Sequence, residues 1–369
     1  MKPNLSAFLL FLLFFDQSLS AKAGLLPPKG IPNGFKWPKG NPFKSKWVGD
    51  ILDAIIQQNL PAQPPNAPPV QIKGLSRIKD YFSNFSYLQS EQIDDYLDQK
   101  TESAIKRYQQ YFNLQVNGYL TNETLQLISR PRCAVPDMSF DYDFTQNVSW
   151  PKAGNRWFQK RNLTYAFLLA SQIPDNTTKV FGEAFTQWAH ATGFLNFTKA
   201  TTYDDADIKI GFYNISAVVD YDAFGVSFIR EKPPSNVKTG EIHLDGSIYW
   251  ALPSENDSLS WKDGVLDLES VAMHQIGHLL GLDHSSMNDS VMYPYILPSQ
   301  QRKVDLSNSD KNNIMNQNAN VNSGDGGCLG VLLMTIISLG FTYVLLGYYV
   351  SSYVSHLHVC LCRGFVSWV

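Results

Sequence analysis

Surplus charge of either sign is missing from this 369-residue chain. Thirty-three acidic residues stand against 30 basic ones, a net charge of −3 that gives no reason to expect nucleic acid as a partner. Cysteine is scarce too. Of the four present, Cys328, Cys360 and Cys362 lie at or beyond a C-terminal apolar run, which leaves Cys133 alone in the remaining chain. A disulfide framework is therefore excluded there. Two readings remain for Cys133, a buried inert thiol or a free thiol with a task.

What is present begins with an export pattern. Lys2, the apolar stretch Ala7 to Phe15, and small residues at Ser18-Leu19-Ser20 or Ala21-Lys22-Ala23 read as a signal peptide over residues 1–23. Asn84, Asn122, Asn147, Asn162, Asn176, Asn196, Asn214, Asn256 and Asn288 each head an Asn-x-Ser/Thr acceptor, a density suited to a secreted glycoprotein. At the other end, residues 329–350 form an uncharged, mostly apolar run of 22 residues, long enough to cross a bilayer. The small residues Ser323-Gly324-Asp325 before it equally suit a GPI signal. Both readings attach the protein to the cell surface.

Between these ends the composition divides the chain. Residues 24–73 are rich in Pro, Gly and Lys and read as an extended segment. From Gly74 the spacing turns helical: Leu75, Ile78, Phe82 and Phe85 share one face, and Ala104, Ile105, Tyr108 and Phe112 another. Asn117-Gly118 marks a turn before a short helix capped by Thr121 or Asn122. Residues 74–137 are thus expected to be a small helical domain ending in the proline-bounded, extended Pro131-Arg132-Cys133-Ala134-Val135-Pro136-Asp137. A mixed domain follows over 138–316. Strands are expected at 162–169, 206–213 and 240–250, and helices at 177–192 and 266–281, the latter ending at Gly281. A polar helix then fades into a stalk over 317–328.

Chemistry concentrates in VAMHQIGHLLGLDH, residues 271–284. His274 and His278 lie four apart on a helix and so share a face. Gly281 lets the chain turn out of the helix, so His284 can return as a third nitrogen. Three protein nitrogens with a fourth position open are the arrangement of a catalytic zinc rather than a closed structural one. Met292, in VMYP, follows at the distance of a methionine turn beneath such a metal.

On these motifs the chain resembles the matrix metalloproteinases, and more closely the plant members, which lack a haemopexin domain. The resemblance runs from about Gly74 to Asn316. It implies an α+β fold, with a metzincin-type domain built on a twisted, mostly parallel sheet and preceded by an all-α peptidoglycan-binding-like propeptide. PRCAVPD resembles the family's cysteine switch, PRCGVPD. It implies that Cys133 fills zinc's open position in a latent form, with Arg132 and Asp137 paired to hold the segment. Ala134 stands where the family has glycine, and would strain that latch if the position needs a positive φ.

The resemblance also exposes losses. In the family a glutamate beside the first histidine takes a proton from zinc-bound water and returns one to the leaving amine. Gln275 occupies that position here, and a neutral amide cannot shuttle a proton. The family's structural zinc uses three histidines from three segments, of which only His243 remains, so that site is expected to be empty. Of the family's calcium ligands Asp222 and Asp245 match, whereas Ile248 replaces a glutamate. Calcium should therefore bind weakly. The expected protein is a cell-surface, monomeric, zinc-binding metalloproteinase relative with hydrolysis crippled at Gln275. It would act on extracellular or cell-wall proteins by binding them. A slow or active zinc endopeptidase made as a latent zymogen is the alternative.

Overall fold

A computed structural model describes residues 69–316, apart from residue 91, residues 139–147, 152–156, 169, 171–172, 174, 216–221, 233–234, 236, 253–264 and 296–301. The expected signal peptide, most of the Pro-rich segment, Asn147, Asn256, the stalk and the apolar anchor lie outside the described residues. Among the described residues no helix is long and apolar enough to cross a membrane.

The N-terminal part is helical, as the spacing predicts. α1 (Leu75–Asn84), α2 (Gln99–Tyr111) and α3 (Asn122–Ile128) bury Leu75, Ile78, Phe82, Ala104, Ile105, Tyr108 and Leu125 against one another. Their starts follow ordinary capping chemistry. The side chain of Asp98 accepts the Thr101 N–H at 2.7 Å, and Thr121, rather than Asn122, accepts from Thr124 N–H at 3.2 Å. Two short strands, β1 (Val70–Gln71) and β2 (Tyr96–Leu97), pair beside these helices.

β3 (Arg132–Cys133) carries the chain into a seven-stranded sheet. Its other members are β4 (Val148–Ser149), β5 (Asn162–Phe167), β6 (Asn196–Lys199), β7 (Ile208–Tyr213), β8 (Ala223–Lys232) and β9 (Val237–Asp245). The order is β3-β8-β9-β7-β5-β6, with β4 paired to β8. Pairs β3–β8, β5–β6, β5–β7 and β7–β9 are parallel, while β8–β9 and β4–β8 are antiparallel. The sheet is thus mostly parallel, and such sheets need helical cover. α4 (Asp175–Thr192) supplies part of it, burying Val180, Phe181, Phe185 and Trp188.

The segment expected as one strand over 240–250 is broken. β9 ends at Asp245, and β10 (Tyr249–Ala251) pairs instead with β11 (Val265–Asp267). The turn between them is held by Asp245 Oδ1, which accepts the Ser247 N–H at 2.7 Å. Likewise Leu266 and Asp267 belong to β11, and the helix that follows, α5 (Leu268–Leu279), starts only where the Asp267 side chain accepts the Ser270 N–H. α5 is buried on nearly every side, lying against α4, β8 and β9. The indole of Trp188 donates to the Met273 carbonyl at 2.9 Å and fixes α4 to α5.

Candidate metal centre

α5 delivers two of the three histidines, and its C-terminal turn delivers the third. Leu279 is the last helical residue, and Gly281 takes φ 91°, a left-handed conformation that costs an ordinary side chain dearly. The chain then doubles back, so that His284 faces His274 and His278. Each ring spends its Nδ1 on scaffolding. His274 Nδ1 donates to the Val291 carbonyl and His278 Nδ1 to the Leu282 carbonyl, both at 2.8 Å, and His284 Nδ1 donates to Asp137 Oδ1 at 2.7 Å. Two of these partners are carbonyls, which can only accept. The protons therefore sit on Nδ1, and the Nε2 lone pairs are left to point inward.

Those three Nε2 atoms lie 3.1, 3.1 and 3.3 Å apart. Cys133 Sγ lies 3.5 Å from His278 Nε2, and the four ligand atoms fall within 4.8 Å of one another. A tetrahedral zinc with bonds of about 2.0–2.1 Å to nitrogen separates its nitrogens by roughly 3.3–3.4 Å. With a thiolate bond of about 2.3 Å it separates nitrogen from sulfur by roughly 3.5–3.6 Å. The residues present fit that ion. Burial pushes the pKa values of His274 and His278 well down, with His284 nearby adding to the effect. Burial lowers His284 too, against the pull of Asp137. All three rings are thereby kept neutral, the form that binds metal. Burial pushes the Cys133 thiol up to about 12, against the Val135 N–H, the Gln275 amide and the Arg132 charge. A zinc ion reverses that tendency.

Met292 sits beneath the helix. A β-carbon placed on Gly277 would come within 2.5 Å of Met292 Sδ and 3.0 Å of the Trp188 ring, so only glycine allows the methionine this close. The turn itself hangs on Asp310, which accepts from Ser290 Oγ (2.5 Å) and the Val291 N–H (3.1 Å). Asp310 also accepts from Ser307 Oγ and the Ser307 N–H, while its own N–H donates to Ser307 Oγ, a capping pattern at the start of the last helix.

Segment 131–137 lies in the cleft beside this cluster. Arg132 N–H donates to the Asp222 carbonyl, Ala134 N–H to Gly225, and Cys133 N–H to Pro294 on the opposite side, each at 2.9 Å. Ala134 is buried without a positive φ, so the strain anticipated from losing glycine has no source in the backbone angle. Arg132 is fully buried. Its Nη2 donates to Asp137 at 2.5 Å, its Nε to the Cys133 carbonyl, and its guanidinium lies 3.3 Å from the centre of the Phe85 ring. Burial opposes the charge on Asp137, but Arg132 and His284 together hold its carboxyl down at about 2. The helical part reaches the same point. Tyr87 OH donates to Asp137 at 2.7 Å, and Tyr81, Tyr108 and Tyr295 join their hydroxyls beneath Arg132. No spacing signals these hydroxyl contacts, because their partners lie up to 214 residues away.

Gln275 is fully buried between β8 and the segment. Its Oε1 accepts from Ser227 Oγ at 2.5 Å and its Nε2 donates to Cys133 Sγ at 3.3 Å. Ser227 went unnoticed in the sequence, since GVSFIR offers only an apolar run with one hydroxyl. Asp222 and Asp245 stand outside the cluster, with Asp222 giving its carbonyl to Arg132 and Asp245 holding its turn. His243 has a different setting. Its Nε2 meets Glu241 at 3.0 Å, its ring stacks on Tyr213 at 4.0 Å, and Arg230 closes on Glu241 at 2.6 Å. Among the described residues the only cluster of three or more His, Cys, Asp or Glu fit for a metal is Cys133, His274, His278 and His284.

Comparison with known proteins agrees with this geometry. The matrixin profile matches residues 156–317, and a putative peptidoglycan binding domain matches residues 73–128. Metalloendoproteinase 5-MMP of Arabidopsis thaliana is 38% identical over 271 residues, covering 69% of this chain and 74% of that protein. Metalloendoproteinase 2-MMP of the same plant is 36% identical, covering 65% of this chain and 69% of its own length. Metalloendoproteinase 1 of Glycine max is also 36% identical, covering 64% of this chain and 79% of its own. With the helical domain, the mostly parallel sheet and the histidine cluster in place, this chain belongs to the matrixins, a family of zinc-dependent metalloendopeptidases.

Proposed function

We propose that this matrixin is a zinc-binding protein whose peptide-bond hydrolysis is strongly impaired, and that it works by holding extracellular or cell-wall protein segments in its cleft. The observation that carries the first half is the setting of Gln275. It lies beside the histidine cluster with its amide bonded at both ends, to Ser227 and Cys133, and among the described residues no carboxylate bonds it.

His274, His278 and His284 would hold one zinc, with Cys133 completing the set while segment 131–137 is in place. When bound, that ion polarises a carbonyl and lowers the pKa of a bound water. A general base must still take and return a proton. An amide cannot, and loss of such a group typically costs about 10²–10⁴ in rate.

The second half rests on β8. Its edge already carries an extended segment, through Asp222 and Gly225 on one side and Pro294 on the other. Main-chain bonds of this kind accept any extended peptide, and pockets for alternate side chains then select among them. Removal of 131–137 frees the same groups for a partner. Export is supported by the acceptor asparagines, since Asn122, Asn162, Asn176, Asn196 and Asn288 are exposed. The leader and anchor read from the sequence would tether it at the cell surface, where we take it to act as a monomer. Calcium at Asp222 and Asp245 would be weak, and His243 would hold no second zinc.

The test uses chains beginning at residue 138, native and Gln275→Glu, each loaded with zinc and given an unfolded protein substrate. The Glu form should cleave at least about a hundredfold faster. Equal rates would mean that the native protein is an ordinary endopeptidase. Peptide binding by the native form, followed by fluorescence anisotropy, should survive the loss of turnover.

A further inference from the structure

Gln275 does more than lack a carboxylate. It stands on α5, Ser227 on β8 and Cys133 on the segment that fills the cleft, and the one amide joins all three. Ser227 Oγ lies 2.5 Å from Gln275 Oε1 and 3.0 Å from the Gln275 carbonyl, so its hydroxyl faces acceptors only. That fixes the oxygen end of the amide on β8 and turns the NH₂ end to the sulfur. The sulfur's other donor is the Val135 N–H at 3.5 Å, a longer contact. Space for the amide is left by Gly225, where a β-carbon would come within 3.4 Å of Gln275 Nε2 and 2.9 Å of the His243 carbonyl.

The geometry points to Gln275 as a positioning residue for Cys133: its N–H holds the sulfur at the histidine cluster and so strengthens closure of the cleft by segment 131–137. A glutamate of the same shape could still accept from Ser227, but it has no hydrogen to give the sulfur, and its charge would repel a thiolate. The substitution that removes the proton shuttle therefore supplies the latch with a donor. Hydrogen bonds to charged groups are among the stronger ones in proteins, and their loss leaves a buried atom unsatisfied. This inference rests on the proposed reading in one respect, that Cys133 is the group closing the metal site.

The test reads how often the latch opens. Cys133 is fully buried, so alkylation requires local opening and its rate follows the open population. The zinc-loaded full chain is treated with iodoacetamide, and the Cys133 peptide is quantified by mass spectrometry apart from Cys328, Cys360 and Cys362. Gln275→Glu should speed labelling of Cys133 on the order of tenfold or more. Gln275→Met, which loses the donor without adding charge, should do so by less, and Ser227→Ala, which releases the amide, by less again. Native-like melting qualifies each variant, and Ser227→Ala decides the matter if the Gln275 variants do not fold. Variants labelled at the native rate, while native Cys133 is protected, overturn the inference. Native Cys133 labelled as fast as in unfolded chain would instead overturn the reading that it closes the site.

Discussion

Two histidine settings, one on α5 and the turn after it and one on strand β9, have opposite characters. At the end of α5, three rings each give Nδ1 to a fixed acceptor and turn Nε2 toward one point, 3.1–3.3 Å from each other. At His243, one ring is stacked on Tyr213, lies edge-on to Phe228, and spends Nε2 on Glu241, which Arg230 also holds. The first arrangement leaves lone pairs for a cation. The second has already met its nitrogen with a carboxylate and its ring with aromatic faces. A histidine's capacity for metal is thus read from which nitrogen the scaffold consumes and whether other donors converge on the remaining one.

The comparison can be broken most severely at Asp137. Asp137→Asn removes the buried charge that pairs with Arg132 and leaves His284 only a neutral, weaker acceptor. Unpairing a buried charge of this kind costs about 3–5 kcal/mol. Chemical denaturation should record that loss, and zinc affinity should fall about 10–100-fold because the neutral acceptor holds the His284 ring less firmly.

Glu241→Gln tests the other setting and should leave zinc content untouched. It should cost about 1–3 kcal/mol, since Arg230 and His243 lose a charged acceptor. It should also alter the acid response. Burial opposes the charge on Glu241, but His243 and Arg230 hold its pKa down at about 2 against an ordinary 4.5. That contribution is present above pH 4.5 and is lost as pH falls toward 2. Burial lowers His243 below its ordinary 6.5, so below that pH the unfolded chain takes up the proton first and stability falls again. In Glu241→Gln the loss below pH 4.5 should disappear and the loss below 6.5 should deepen, because His243 no longer has the carboxylate that raises it, and unfolding midpoints between pH 7 and pH 3 read both. An identical slope would show that the pair plays no such part.

The smallest effect belongs to Ser290→Ala, which removes one bond to Asp310 and one from the Met292 N–H. About 1–2 kcal/mol of stability should go, with zinc affinity changed by less than in Asp137→Asn.

Much of the first setting was legible in the residues alone. The spacing of His274, His278 and His284 with Gly281 between them needs only helix geometry and one left-handed residue. The helices of the N-terminal part likewise follow from the apolar spacing at Leu75, Ile78 and Phe82. β8 escaped, because a strand buried on both faces shows no alternation: residues 223–229 are all buried. β3 and β4 are two residues long and exist only through tertiary pairing, both with β8 and β3 also with Tyr295. The contact of Gln275 with Cys133 spans 142 residues, and that of Tyr81 with Tyr295 spans 214, beyond any local pattern. The double use of Asp310, which caps the last helix with Ser307 and holds the turn around Met292, needed the tertiary fold.

The most direct measurement is the metal content of the purified native chain after dialysis against dilute zinc. One zinc per chain, retained in a His243→Phe variant and lost in His278→Ala, is the result this account predicts. Two zinc ions per chain, with one removed by the change at His243, or none at all, would contradict it.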